Sequence, residues 1–379
     1  MIPIKYNFRS LVVRRVGTMM TVGGVALTVG IFVSILAMVT GLENTYVNGG
    51  QPLNLVLLRK GSQTETNSYY NRSFKGIVET MDGVQAVSAE ILVIINHPRV
   101  TGESANLIVR GISDKTFELR PKIKLADGRM LKTGLREVLV SRSVSNRFKD
   151  GKIGDTIHIG RTDWKVVGMF DAARTPYDSE IWADYGDVAQ EFNRPIYSSI
   201  LMRCADKASL KEVQKKIVDD RRLQMDAPRE TEYFESQVGT AAPMKVLGYL
   251  VGIIMAIGSC FAVMNTMYAA TAYRTREIAT LRVLGFRRRN ILLSFMLESL
   301  LLALIGGALG CLIALPMNGM STGTANFITF SEIVFQFRVT PGLMLTGLLF
   351  SAIMGTLGGF LPARLAARIP IARALRTEV

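Results

Sequence analysis

The chain has 379 residues, 49% of them hydrophobic and 20% charged, with a net charge of +14. Its mean hydropathy of +0.25 makes it too apolar for an ordinary soluble protein and too charged to lie wholly within a bilayer. Of three cysteines, Cys260 and Cys311 fall in apolar runs and only Cys204 lies elsewhere, which excludes a disulfide framework and leaves the polar part to rest on a packed core.

Taken in chain order, residues 1–15 alternate Phe8, Leu11 and Val12 with Arg9, Arg14 and Arg15. This suits an amphipathic helix on the cytoplasmic membrane surface, a set of positive anchors, or both. Residues 16–40 form a first span of about the 20 apolar residues that hydrocarbon requires. No Ala-x-Ala-like site follows it, so it is expected to be retained rather than cleaved.

Residues 41–243 read as an extracytoplasmic α+β domain, porter-like with a small β-rich subdomain. Ser73 to Met81 has helical spacing, and the alternating run Val84 to Ile95 and Asn106 to Ile112 predict strands. Glu137 to Ser141, Thr156 to Gly160 and Trp164 to Gly168 predict short strands between Gly and Asp turns. Leu210 to Arg222 predicts an amphipathic helix with Leu210, Val213, Ile217 and Val218 on one side. From Thr231 the chain is helical and polar. Either it continues as a stalk into the next span or it ends as a loop at Gly239 and Pro243.

Further spans are expected at 244–272, 291–316 and 343–362, with a short extracytoplasmic loop at 317–342 and a tail at 363–379. Between the second and third spans, residues 273–290 form a basic amphipathic helix. Ile278, Leu281 and Leu284 recur on one face, Arg274, Glu277 and Arg282 decorate the rest, and Gly285 supplies a stop.

The location of charge fixes the orientation. Lys5, Arg9, Arg14, Arg15, Arg274, Arg276, Arg282, Arg287, Arg288, Arg289, Arg364, Arg368, Arg373 and Arg376 stand against only Glu277 and Glu378 in the short flanking segments, and 41–243 is nearly neutral. Basic short loops stay in the cytoplasm, so both termini and the 273–290 loop are placed there. Positive charge spread over three membrane-flanking pieces argues against nucleic-acid binding.

Motifs of catalysis are lacking. There is no Gly-x-x-x-x-Gly-Lys-[Ser/Thr] phosphate loop, since Gly151-Lys152 is followed by Ile153. There is no His-Glu-x-x-His, and His97 and His158 have no Cys companions at ligand spacing, so no metal site is expected. A Ser/His/Asp constellation stays geometrically open, but no Gly-x-Ser-x-Gly elbow surrounds any serine. The chain reads as non-catalytic, with no cofactor of its own.

Glu298 stands inside an otherwise apolar span, where a carboxyl is costly and rarely faces lipid. Asn265 lies at similar depth on the neighbouring span, which makes an interhelical hydrogen bond the first expectation. A role in coupling or proton movement, or exposure in a hydrated cavity, are the others. Gly306, Gly307 and Gly310 in the third span, and Gly355, Gly358 and Gly359 in the fourth, mark close helix packing without naming a partner.

These residues carry a resemblance. Tyr273 to Arg289, with Arg-Thr-Arg-Glu-Ile-Ala-Thr-Leu-Arg-Val-Leu-Gly, resembles the coupling segment of the MacB/FtsX/LolC type of ABC transporter permease, with Ala279 for the usual Gly and Val283 for the usual Ala. The tail Leu361 to Arg376 is similar to that family's closing Pro-Ala-x-x-Ala-Ala-x-x-x-Pro-x-Ala-Leu-Arg. Weaker matches lie at Asp82 to Val87, Val109 to Ile112, Gly128-Arg129 and Trp164 to Gly168. The resemblance implies a type VII permease, an α-helical membrane protein with four transmembrane helices and a large α+β periplasmic domain between the first two. It would sit in the bacterial inner membrane as a homo- or heterodimer with a second permease subunit, beside two copies of an ABC ATPase that bind ATP and Mg. A membrane-fusion adaptor and an outer-membrane component are further implied partners. Arg274, Arg276, Glu277, Ile278, Leu281, Arg282, Leu284 and Gly285 would make the ATPase-coupling surface. The work done would be extrusion of a lipoprotein, lipid, peptide or drug, or alternatively FtsX-like activation of a periplasmic cell-wall hydrolase.

Overall fold

The computed structural model describes residues 15–239, 242–326 and 328–370. The expected N-terminal helix and the end of the tail therefore lie largely outside the described residues. Helices run, in order, α1 Arg15–Gly49, α2 Ser73–Glu79, α3 Thr116–Leu119, α4 Arg142–Arg147, α5 Tyr185–Glu191, α6 Lys207–Asp219, α7 Glu230–Val238, α8 Ala242–Tyr273, α9 Thr275–Val283, α10 Arg288–Ala314 and α11 Pro341–Arg368. The chain divides into two compact units, one of residues 1–40, 243–320 and 337–379, the other of 41–242 and 321–336.

The first unit is helical. Among the described residues, four helices are long and apolar enough to cross a membrane, and they overlap the four expected spans. Two run past their expected ends. α1 continues beyond residue 40 to Gly49, and α11 continues through Pro362 to Arg368. Proline removes one backbone hydrogen bond, but Ala363, Ala366 and Ala367 are buried beyond it, so packing keeps the last turns helical. α11 starts at Pro341 with Thr340 as its cap, whose hydroxyl accepts the Leu343 N–H.

Small residues set how closely these helices approach. A Cβ on Gly306 would meet Val25 Cβ at 2.8 Å, and one on Gly310 would meet Val29 Cβ at 2.8 Å, so both glycines receive α1. Gly307 faces Ser351 of α11, Gly355 and Gly359 face Ser299 of α10, and Gly358 lies against Cys260 of α8. All six predicted packing glycines are thus occupied within the chain itself. Two hydroxyl pairs, Thr21 with Thr266 and Thr28 with Ser259, each at 2.6 Å, join α1 to α8. Phe32 stacks on Phe350 at 4.3 Å. On α8, by contrast, Val246, Leu250, Ile253, Ile257 and Phe261 are exposed, an exterior suited to hydrocarbon rather than water.

The second unit is α+β. Its strands are β1 Asn54–Arg59, β2 Tyr70–Asn71, β3 Val84–Pro98, β4 Ser104–Ile112, β5 Lys124–Gly128, β6 Glu137–Ser141, β7 Thr156–Ile159, β8 Thr162–Asp171, β9 Glu180–Asp184, β10 Ile196–Tyr197, β11 Ser199–Cys204, β12 Met225–Asp226, β13 Ser321–Ala325 and β14 Glu332–Gln336. One ten-stranded sheet runs β12-β1-β11-β3-β4-β9-β6-β8-β5, with β7 added on β8. Pairing is antiparallel except at β4–β9 and β6–β8. An apolar cluster packs against each end of it. One gathers Leu55, Leu57, Ile200 and Met202 under Leu210, Val213 and Ile217 of α6. The other gathers Val138, Val140, Trp164, Val166 and Ile181 with Val144 of α4 and Val188 of α5. The two groups of strands meet at β3, whose residues 84–90 pair with β11 and whose residues 91–98 pair with β4.

The segment 317–342, expected as a loop, contains the hairpin β13–β14, which belongs to this second unit. Its anchor is Glu332, whose carboxylate accepts from Arg99 Nη2 at 2.7 Å and from Arg147. A segment with one acidic residue gives no pattern by which sequence alone would assign these partners.

A buried ion network lies in the same unit. The Arg110 guanidinium donates two bonds to Glu180, both at 2.7 Å, one to Glu90 at 2.7 Å, and bonds Glu65 at 3.0 Å. Arg120 also binds Glu90. Burial acts to raise the Glu90 carboxyl, but Arg120 and Arg110 outweigh it and hold it at about 2 instead of 4.5. Because the folded-state value is depressed, the stabilisation from Glu90 is fully present above pH 4.5 and lost as pH falls from 4.5 toward about 2. Thermal midpoints of the second unit's unfolding should therefore drop steeply across that window in the native chain, and less so in Glu90→Gln. In the first unit, Gly310→Val should destabilise the helices by about 2 kcal/mol through overpacking against α1. Gly258→Val, where a Cβ meets open space, should cost less, as read from thermal unfolding in detergent.

Candidate coupling surface

α9 is a nine-residue helix joined to α8 by a turn at Arg274. Glu277 in its first turn and Arg282 in its last complement the helix dipole. At its end Gly285 adopts φ +92°, with its N–H bonded to Arg282 O at 3.2 Å and the Phe286 N–H bonded to Leu281 O at 3.1 Å. This is a Schellman stop, which needs the left-handed conformation that glycine accepts without strain. A helix this short is marginal in isolation and depends on tertiary anchors.

Three anchors are present. Ile278 is 3% exposed and buried in one cluster with Ile291, Phe295, Ala366 and Ala367. Arg282 Nη1 donates to Ala367 O at 3.1 Å, tying the end of α9 to α11. Arg274, at the start, donates through Nη1 to Glu298 Oε2 at 3.0 Å and through Nε to Glu277 Oε2 at 3.1 Å, and its guanidinium lies 5.6 Å from the Phe295 ring centre.

The eight residues expected to face the ATPase therefore separate into two sets. Arg274, Ile278 and Arg282 are turned toward the protein's own helices, Leu281 is half-buried, and Gly285 shapes the exit. Arg276 and Glu277 are exposed, as is Leu284 at 71%. Three apolar residues at every third position were expected on one outward face, but Ile278 is turned inward and Leu281 is half-buried, which leaves only Leu284 of the three outside. The outward apolar surface is instead Val283 and Leu284, 63% and 71% exposed, with exposed Thr280 before it and exposed Arg287, Arg288 and Arg289 after it in the chain. Val283, absent from the expected set, is recognisable in the sequence only as an apolar residue off the periodic face and next to the helix stop.

Glu298 is 3% exposed. Among the described residues it is bonded by Arg274 rather than by Asn265, which lies exposed. Both Glu298 and Asn265 line a cavity of about 600 Å³ with residues 15–18 and Thr266. A guanidinium makes a charge-assisted bond that a neutral amide cannot match, and Arg274 reaches back from the turn to make it. Arg274→Ala strips Glu298 of this partner and should destabilise the helical unit by on the order of 3 kcal/mol. Arg274→Lys should lose less, with thermal unfolding in detergent as the measurement.

The chain matches the MacB-like periplasmic core domain family over residues 18–220 and the FtsX-like permease C-terminal family over 249–371. It is 23% identical to the macrolide export ATP-binding/permease protein MacB of Hahella chejuensis, covering 96% of this chain but 58% of that protein. It is 24% identical to the ABC transporter permease YknZ of Bacillus subtilis, covering 99% of this chain and 98% of that one. Among solved structures, the extracellular domain of YknZ aligns at 16% identity with a TM-score of 0.38, over 46% of this chain and all of that one. The periplasmic region of MacB from Actinobacillus actinomycetemcomitans aligns at 13% identity with a TM-score of 0.40, over 49% and 92%. With the two family matches running from residue 18 to residue 371, this chain belongs to the MacB/FtsX family of ABC transporter permeases.

Proposed function

We propose that this chain is the membrane subunit of an ATP-driven, mechanotransmitting type VII transporter, in which a separate ATPase pushes on α9 and the second unit performs the extracytoplasmic work. The observation that carries this reading is the exposed pair Val283 and Leu284 on a short helix held at both ends by Arg274 and Arg282. An exposed apolar pair followed in the chain by three exposed arginines suits a protein partner with an apolar pocket and an acidic rim. The similarity to an ABC transporter permease supports the permease part of this reading.

In this reading the short basic segments are cytoplasmic, the second unit is periplasmic, and the membrane is the bacterial inner membrane. The chain itself is non-catalytic, and ATP with Mg belongs to the two ATPase copies. It works as a dimer with a second permease subunit, a membrane-fusion adaptor and outer-membrane component completing the path where the cargo leaves the cell. The cargo class is a lipoprotein, lipid, peptide or drug. A push on α9 reaches α10 through Arg274 and Glu298 and reaches α11 through Arg282 and Ala367.

Leu284→Asp should reduce ATPase stimulation by the reconstituted chain at least about tenfold, since a carboxylate is forced into an apolar contact, while leaving thermal unfolding of the chain unchanged. Ile278→Asp should instead unfold the helical unit. Full ATPase stimulation by Leu284→Asp would remove the docking face from this patch. Stimulation without release of any cargo, accompanied by ATP-dependent activation of a periplasmic hydrolase, would turn the reading to signalling.

A further inference from the structure

The chain passes between its two units after residue 40, before residue 243, and at both ends of the hairpin segment 321–336. Inside the second unit, the stretches nearest these crossings are bound to one another. A Cβ on Gly50 would lie 2.7 Å from Thr231 Cα, and one on Gly49 would lie 3.0 Å from the Phe234 ring. Asn326 Nδ2 donates to Tyr46 Oη at 2.8 Å, which joins the hairpin to the end of α1.

Glu230 sits at the centre of this arrangement. It opens α7 and is fully buried. Its Oε2 accepts from the Gln51 backbone N–H and from Asn54 Nδ2, both at 2.9 Å, and its Oε1 accepts from Tyr177 Oη at 3.0 Å. Burial pushes this carboxyl upward, against the opposing influence of Arg120 and of the Gln51, Tyr177 and Asn54 donors. The Arg120 guanidinium lies 4.5 Å from the Tyr177 ring centre and also binds Glu90 on β3. One carboxylate therefore holds the entering strand segment, the departing helix α7, and, through Tyr177 and Arg120, the middle of the sheet.

We propose that Glu230 is a positioning residue that clamps the entering and departing chain segments of the second unit together, so that displacement of either is delivered to the whole sheet. The proposal rests on the permease reading, in which such displacement is the useful output. Without the clamp, the end of α1 and α7 can shift past each other, and the stroke is spent on that local slip.

The test uses the full chain reconstituted with its ATPase, its three native cysteines replaced by alanine, and nitroxide labels at Val47→Cys and Glu235→Cys, both exposed sites in the second unit. In the otherwise native chain the distance distribution should be narrow and unaltered by ATP. In Glu230→Ala it should broaden about twofold without nucleotide and widen further with ATP, while ATP turnover persists. Glu230→Gln, which keeps an accepting oxygen, should stay narrow. If Glu230→Ala fails to fold, Tyr177→Phe, which removes one donor and keeps the ring, is read in its place and should show a smaller broadening with ATP. A variant distribution as narrow as the native one, with and without ATP, overturns the clamp. A native chain that leaves ATPase turnover unchanged overturns the permease reading instead, and the nucleotide-free distributions then decide the clamp by themselves.

Discussion

The anchoring of α9 is the constraint on which the rest of the functional account depends. A nine-residue helix is marginal in water, and in the proposed function a flexible loop could not transmit a push. The sequence meets both demands by turning part of the helix inward. Arg274 closes on Glu298, Ile278 enters the core, and Arg282 caps the Ala367 carbonyl of α11. Each anchor removes one residue from the surface offered to a partner. What is left outside is a small apolar patch at the C-terminal end, next to the glycine that turns the chain toward three exposed arginines and α10.

Glu298 shows the same economy from the other side. A carboxylate within an apolar helix is tolerable when a guanidinium partner satisfies it, and here that partner belongs to the element to be held. The charge is thereby both neutralised and used. In the second unit the same principle recurs at larger scale, where Arg110 and Arg120 are encircled by Glu65, Glu90 and Glu180. Such networks add little net stability compared with an apolar core, but they restrict how the packed elements can be arranged. Two apolar clusters on either side of an ionic centre hold the elements of the second unit in one arrangement.

Much of this was legible in the sequence, for physical reasons. Long apolar runs and their basic flanks placed the four helices, alternation placed β3, and bounding turn residues placed β4 and β6, because period, length and turn chemistry are local properties. Gly285 was legible as a stop because the left-handed conformation favours glycine. The glycine rows marked close packing, though only coordinates show that Gly306 and Gly310 receive α1 while Gly355 and Gly359 receive Ser299. What stayed hidden was non-local. No spacing rule links Glu298 to Arg274 across a turn in preference to Asn265 at the same depth. Nor does any pattern tie Glu332 to Arg99 and Arg147, or Glu230 to Gln51 and Tyr177, across such separations. The inward turn of Ile278 was missed because periodicity identifies an apolar face without saying whether the protein or its partner covers it.

The central claim is that Val283 and Leu284, and not Ile278, meet the ATPase. Site-specific photo-crosslinking from positions 284 and 278 in the assembled complex tests it most directly. The account predicts an adduct with the ATPase subunit from position 284 and only intrachain products from position 278. An ATPase adduct from 278 with none from 284 would contradict it.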